Sequence, residues 1–327
     1  MPFAESRYWC CVSEEGKTWS FGAELGDVPK LLKEGKQLWL DILRPSKEDI
    51  QWLKETFLFH DLALSDVMNN ETRPKQETYE DILFTVFGAI NMNPGDEALD
   101  IINLNLFLTR QYVVSVHLKP LKAVRQVKEA VEHRRELAVH GPDYIFYRLL
   151  DGVVDQYFDI FNELEDQLDQ LEERIFSGND PGIQEAIFGI KKQSATLRSS
   201  LGPKREALKI LVYAEFNQLD KDIQTNLRDV LDHVMRMWDM LEAQRDLLNG
   251  LMDSYMVQIS NRMNQIMKLL SVIATIMLPL SFITGIFGMN FDHIPLLHSP
   301  TGFWITAGGM AALAVGMLWV FKRKQIL

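Results

Sequence analysis

Cysteine is nearly missing from this chain. Only Cys10 and Cys11 occur among 327 residues, adjacent and without C-x-x-C spacing, which excludes a disulfide framework and a cysteine-built zinc site. Positive charge is also short. Against 45 Asp and Glu stand 34 Lys and Arg, a net charge of −11, whereas a nucleic-acid partner calls for a basic face. There is no glycine-rich phosphate loop, no H-E-x-x-H and no G-x-S-x-G. Nucleotide-driven and common hydrolytic chemistry are therefore not indicated, an organic cofactor is not expected, and an enzyme is the least favoured class. The first nine residues include Glu5 and Arg7 and lack an apolar h-region, so no signal peptide is expected and the N-terminal body is expected in the cytoplasm.

Charge of either sign is absent from two stretches near the end. Leu269 to Phe287 and Phe303 to Phe321 are each about 19 uncharged residues, enough for a helix to cross roughly 30 Å of hydrocarbon. The intervening loop, 291–302, contains Asp292, His293 and His298 but no Lys or Arg. Lys268 precedes the first span, and Lys322, Arg323 and Lys324 follow the second. The positive-inside bias places both ends in the cytoplasm and the loop outside.

The order of elements predicts an α/β cytoplasmic domain over 1–140. Tyr8–Val12, Leu38–Ile42, Tyr79–Ala89, Ile101–Thr109 and Tyr112–Val116 are rich in β-branched or aromatic residues, and turn residues bound them, as in strands. Arg110-Gln111 predicts a tight hairpin and Asn93-Pro94-Gly95-Asp96 a turn. Helices are expected over Lys47–Phe57 and Leu121–Ala138. An acidic antiparallel helical pair follows over 141–218: Phe161, Leu164, Leu168, Leu171 and Ile175 step by three and four, and the second helix is expected to be interrupted near Gly202-Pro203. The acids along this pair read as a solvated face. A third helix starts near Leu219. Its apolar seam from Leu227 to Ile259, broken by Arg245, resembles a coiled coil, and no proline or cap separates it from the first span. A single helix over 219–290 is about 100 Å long and can transmit cytoplasmic movement into the membrane. The rest comprises the outer loop, a second span over 303–321 and a basic tail over 322–327.

Another face of the long helix carries Asp253, Ser260, Asn264, Met267, Ser271, Ala274, Leu278, Ser281, Gly285 and Gly288, whereas Ile273, Ile276, Leu280, Ile283 and Phe287 lie opposite. A stripe of small and polar residues has two readings. One is close helix–helix packing, the other a wet pore formed by several copies. Two spans cannot enclose a conduit, so a pore requires a closed ring of subunits. Asn290 would then supply a ring of amides whose oxygens accept hydrogen bonds from the water shell of a hydrated cation. Mg²⁺ suits such a filter because it dehydrates reluctantly.

Gly288-Met289-Asn290 before a short outer loop, two C-terminal spans and a basic tail resemble the CorA magnesium-transporter family. Asn264-Gln265-Ile266-Met267-Lys268, Ile273-Ala274-Thr275-Ile276 and Pro279-Leu280 are similar to that family's pore helix. Arg73-Pro74-Lys75 and Asp151–Phe158 extend the likeness over most of the chain. The resemblance implies a funnel-shaped homopentamer in the cell (inner) membrane, contacting lipid and divalent cations and no nucleic acid. It implies passive, potential-driven Mg²⁺ influx with Co²⁺ and Ni²⁺ as secondary ions. Gly288, Met289 and Asn290 correspond to the selectivity filter, Asn264 to a pore-axis residue, and Met267, Leu270 and Leu278 to a hydrophobic constriction closing by dewetting. Ser281 occupies a position that is often Thr, and Asp253 that of a pore-entrance acid. Asp229 corresponds to an acid of the inter-subunit regulatory Mg²⁺ site, with Asp96 of the neighbouring subunit its candidate partner; the surplus acid at Asp166 and Asp169 belongs to the same system.

The chain departs from the family at Phe287, commonly Tyr, and at Pro295-Leu296-Leu297, where a second outer acid is frequent. His293 and His298 are expected to be bystanders. The nearest rival is a ZntB-like zinc transporter, possibly proton-coupled, although the intact Met289 favours magnesium. A membrane-tethered coiled-coil scaffold is the rival from another class.

Overall fold

The computed structural model describes residues 7–14, 18–21, 23–69, 73–91, 100–133, 140–177, 182–289, 295–296 and 299–324. These form two compact units, Met1–Asn249 and Gly250–Leu327. Asp96, the Asn93–Asp96 turn, Asn290 and the loop residues Asp292, His293 and His298 lie outside the described residues.

In the first unit the strands are β1 (Tyr8–Glu14), β2 (Thr18–Phe21), β3 (Gln37–Leu43), β4 (Lys75–Tyr79), β5 (Ile82–Asn91), β6 (Asp100–Leu108) and β7 (Tyr112–His117). They make one sheet in the order β2-β1-β3-β7-β6-β5-β4. Every pair is antiparallel except β3 with β7, which run parallel from Leu38 opposite Tyr112 to Leu43 opposite His117. The expected strand over Tyr79–Ala89 is in fact the second arm of a hairpin: Glu80 and Asp81 turn the chain, with Glu80 at φ 51°. No Gly or Asn marks that turn, which is why it escaped the sequence. The Arg110-Gln111 hairpin is present, closed by Thr109 N–H donating to Tyr112 O at 2.9 Å.

Helices α1 (Val28–Lys33), α2 (Lys47–Phe57) and α3 (Asp61–Met68) lie along the chain between β2 and β4. Ser46 caps α2 in a capping box with Asp49, and Tyr8 Oη donates to Asp49 at 2.6 Å. Leu53, Phe57, Phe59, Leu64 and Val67 pack on one sheet face with Cys10, Leu40, Phe84, Val86 and Val114. Side chains alternate across a strand, so Cys10 belongs to this core while Cys11 points to the opposite face. Both thiols are free and buried, and burial pushes Cys10 up to about 11.

The opposite face holds a buried polar network. Asp41 on β3 accepts hydrogen bonds from Ser115 Oγ on β7 and from Lys128 Nζ at 2.6 Å, and its Oδ2 lies 3.3 Å from His117 Nε2. Trp39 Nε1 donates to Ser115 Oγ at 3.0 Å. Ser, His and Asp thus meet, but the carboxylate sits between the other two, so the His117 imidazole is held by Asp41 and not by the Ser115 hydroxyl. Nucleophilic catalysis needs the contact of imidazole with hydroxyl.

Four further helices follow: α4 (Lys122–His133), α5 (Pro142–Ser177), α6 (Ile183–Tyr213) and α7 (Lys221–Phe287). The seam on α5 is buried from Phe161 to Ile175 as its spacing predicts. The expected break in α6 does not occur: Pro203 lies inside a continuous helix. Proline removes one N–H and adds one ring, and the Trp238 ring of α7 covers this point, 3.5 Å from where a Cβ on Gly202 would lie. The guanidiniums of Arg198 and Arg205 stack on Trp238 at 5.0 and 4.6 Å. On α7 the seam passes through Leu241, Gln244 and Leu248, all buried; Arg245, expected as the intruder, is exposed.

Lys204 of α6 is fully buried, with no carboxylate paired to it among the described residues. Its ammonium donates to Ser200 O at 3.0 Å and Ser200 Oγ at 2.5 Å and lies 4.7 Å from the Tyr157 ring centre. Gly88 on β5 permits this approach, because a Cβ there would lie 2.9 Å from Ile101 Cγ2 and 3.4 Å from Lys204 Nζ. Burial lowers the Lys204 pKa to about 7. The unfolded chain then holds a proton that the folded chain releases, so stability rises with pH between about 7 and about 10. Lys204→Met is expected to raise the unfolding midpoint of this unit at neutral pH, by removing a desolvated amine, and to flatten that slope, which thermal unfolding across pH will measure.

The second unit contains the distal part of α7 and helix α8 (Gly302–Arg323), the two helices among the described residues long and apolar enough to cross a membrane, with mean hydropathy 2.2 and 1.7 in their most apolar windows. The α7 helix is unbroken over 67 residues, with Pro279 inside it, about 100 Å at 1.5 Å per residue. Two span hydroxyls bond within the helix: Thr275 Oγ1 donates to Ser271 O at 2.7 Å and Thr284 Oγ1 to Ser281 O at 3.0 Å. Such back-bonding is how a polar side chain avoids an unmet donor in lipid. Gly302 is required where α8 begins, because a Cβ there would lie 2.0 Å from Leu296 O.

Candidate ion path and metal cluster

At about 100° per residue, the residues from Asp253 through Asn264, Met267, Ser271, Leu278 and Ser281 to Gly288 fall within about a third of the circumference of α7. Ile273, Ile276, Leu280, Ile283 and Phe287 lie opposite. Asp253, Asn264 and Ser281 are exposed, and Met267, Leu270 and Leu278 are 59%, 65% and 70% exposed in the single chain. Leu270 stands at the edge of the stripe, at the same azimuth as Gly288 and about a turn beyond Met267. Gly288 N–H donates to Thr284 O at 2.9 Å and Met289 N–H to Ile286 O at 3.2 Å, so the first two filter candidates close the last turn of the helix.

A second constellation lies in the first unit, and sequence reasoning missed most of it. Asp151 and Asp155 are one turn apart on α5, and His233 comes from α7. Their ligand atoms all lie within 4.8 Å of one another. Asp229, the predicted regulatory acid, is one turn before His233, its Oδ2 3.8 Å from His233 Nε2 and its side chain 73% exposed. His233 also meets the Phe158 ring edge-on at 5.6 Å, and its Nδ1 is buried with no hydrogen-bond partner among the described residues. Burial, Asp155 and Asp229 together raise the Asp151 pKa despite Arg148 and His233. A carboxylate crowded by other carboxylates gains from a bound cation. Two carboxylates suit Mg²⁺ that keeps several of its waters, and the imidazole suits Co²⁺ or Zn²⁺, so this donor set fits a divalent ion. The i,i+4 spacings of Asp151 with Asp155 and of Asp229 with His233 were visible in the sequence. That α5 and α7 bring them together was not. Asp166 and Asp169 lie four and five turns further along α5 at the α-helical pitch and are not part of the cluster.

A mixed α/β unit with an acid-and-imidazole cluster, joined through one helix to two apolar spans with a polar stripe, defines a membrane protein that handles metal cations. A family model described as "CorA-like Mg2+ transporter protein" matches residues 34–323. The cobalt/magnesium transport protein CorA of Thermotoga maritima is 32% identical over 291 residues, covering 88% of this chain and 83% of that protein. The zinc transport protein ZntB of Pectobacterium carotovorum is 21% identical, covering 89% and 88%. The solved CorA magnesium transporter of Methanocaldococcus jannaschii superposes with a TM-score of 0.82 at 23% identity, covering 97% of each chain. The chain belongs to the CorA family of divalent-cation transporters and is not an enzyme.

Proposed function

We propose that the chain forms a passive Mg²⁺ channel, with Co²⁺ and Ni²⁺ as secondary ions, as a homopentamer in the cell (inner) membrane with both termini cytoplasmic. The stripe on α7 carries this reading: Asn264 and Ser281 share one exposed face of an otherwise apolar helix with Asp253 at its inner end. In lipid such a face is costly unless it meets water or partner helices. Five copies around one axis place it on a shared conduit, with Asn290 at the outer mouth and Met267, Leu270 and Leu278 as rings that close by dewetting. A membrane potential contributes about 4.6 kcal/mol per 100 mV for a divalent ion, so inward flow needs no nucleotide.

The gating we propose uses carboxylates. Asp229, with Asp96 of the adjacent subunit and the Asp151–Asp155–His233 cluster, holds cytosolic Mg²⁺ and keeps the ring shut. When the ion is scarce the like charges repel, the long helices shift and the constriction hydrates. This is allostery only if the closed state binds Mg²⁺ better than the open one. In liposomes containing the purified protein, Mg²⁺ entry is expected without a pH gradient. Asp229→Ala is expected to shift inhibition by Mg²⁺ on the cytosolic face to roughly tenfold higher concentration, the effect of losing one charge-assisted ligand. Zinc entry that follows a proton gradient would favour the ZntB-like reading, and no flux of either ion the scaffold.

A further inference from the structure

The metal cluster already faces a cation of the protein's own. Arg148, one turn before Asp151 on α5, places Nη1 3.1 Å from Asp151 Oδ2, and the Asp151 side chain is only 14% exposed. Arg148 Nε is buried with no hydrogen-bond partner among the described residues. The guanidinium is therefore committed to Asp151 at one end, with the Tyr147 hydroxyl also beside it, and its Nε is unmet.

We propose that Arg148 is a tethered counter-ion that competes with the divalent cation for Asp151 and thereby sets the Mg²⁺ concentration at which the cytoplasmic cluster fills. The inference rests on the reading of Asp151, Asp155 and His233 as a metal site. A guanidinium cannot lose its proton in a protein, so it cannot yield by neutralising itself. It either stays, lowering the affinity by its charge and by occupying an oxygen lone pair, or swings away. Space for the swing exists. Arg148, Asp151 and Asp155 line an open groove of about 410 Å³ with Gln126 and Glu129 of α4. Glu129, paired with Arg125 at a distance of 4.0 Å, is a second acceptor within that groove. Without Arg148 the cluster would be three ligands and a surplus of negative charge. With it, the empty site is partly neutral and needs more Mg²⁺ to fill.

The test is the unfolding midpoint of the full-length, detergent-solubilised protein titrated with MgCl₂ at constant ionic strength. Arg148→Gln, and Arg148→Met, which keeps the aliphatic stem, are both expected to reach half-maximal stabilisation at about tenfold lower Mg²⁺ than the parent, the size of one charge-assisted contact. Arg148→Lys, which keeps the charge, is expected to stay near the parent value. Asp151→Asn is expected to raise the half-maximal concentration, and adding Arg148→Gln to it to bring no gain, because Arg148 acts through Asp151. If Asp151→Asn weakens the response while both neutral Arg148 variants match the parent or bind Mg²⁺ more weakly, the site stands and the counter-ion is overturned. If Asp151→Asn leaves the titration unchanged, the reading of the cluster itself falls. Should Arg148→Gln lower the midpoint without Mg²⁺, the Met variant and the position of the titration, rather than its baseline, decide.

Discussion

Asn290→Ala is expected to reduce Mg²⁺ flux into proteoliposomes by one to two orders of magnitude while leaving the protein folded and oligomeric. Each amide oxygen that accepts a hydrogen bond from the ion's water shell contributes about 1 kcal/mol. In the proposed ring every subunit would lose its amide at once, so the losses would compound. The proposed filter would read a hydrated ion, because Mg²⁺ releases its waters reluctantly. Asn290→Ala is therefore expected to admit other hydrated divalent ions with less discrimination, and Asn290→Gln, which keeps the amide but moves it outward by a methylene, to retain part of the flux. Competition between Mg²⁺ and Co²⁺ measured on the three proteins checks this. Parent-level flux and selectivity in Asn290→Ala would remove the residue from the filter. Gly288 belongs to the same expectation, because its N–H closes the last helical turn immediately before the amide.

The second large effect is on stability. Asp41 is 1% exposed and receives hydrogen bonds from Ser115 and Lys128 with His117 alongside. Asp41→Ala leaves a buried hydroxyl and two basic groups without their anion, and is expected to cost about 3–5 kcal/mol, read as a large drop in the unfolding midpoint. Asp41→Asn, which can still pair with Ser115, should lose less. Burial alone would raise this carboxyl's pKa, but the charges and hydrogen bonds of His117 and Lys128 overcome burial and hold it well below the usual carboxylate range. The stabilisation is therefore complete above the unfolded value of about 4 and is lost as pH falls below it. The parent's midpoint should drop in acid below about pH 4 more steeply than that of Asp41→Ala. Equal acid slopes would show that the network contributes no pH-dependent stability.

Local chemistry explains which elements could be read from sequence. The α2 helix carries its start signal in Ser46 and Asp49, and the capping box forms as written. The α5 seam steps by three and four and is buried as predicted. The β4–β5 hairpin was unreadable because its turn uses Glu80 and Asp81 rather than the residues that favour positive φ. Pro203 signalled a break, but propensity is a local tendency and the Trp238 ring with two stacked guanidiniums holds the helix through it. The seam position on α7 was misplaced by one residue for a related reason. Gln244 and Arg245 are both polar, and only packing decides that Gln244 turns inward.

The sequence by itself determined the membrane part. An uncharged run of about 19 residues has few alternatives to a spanning helix, and helical periodicity alone assigns Asn264, Met267, Leu278 and Ser281 to one side of α7. The Gly288-Met289-Asn290 motif and the flanking charges needed no tertiary information either. Tertiary structure alone decided that His233 of α7 meets Asp151 and Asp155 of α5, whereas Arg148 lies one turn from Asp151 on the same helix. Asp151 and His233 are 82 positions apart, and a carboxylate's neighbours across two helices follow from how those helices pack, which depends on side-chain shape along their whole contact rather than on any short motif. The same holds for Asp41 with Ser115 and His117, which the parallel register of β3 on β7 brings together, and for Lys204, whose burial no local pattern announces.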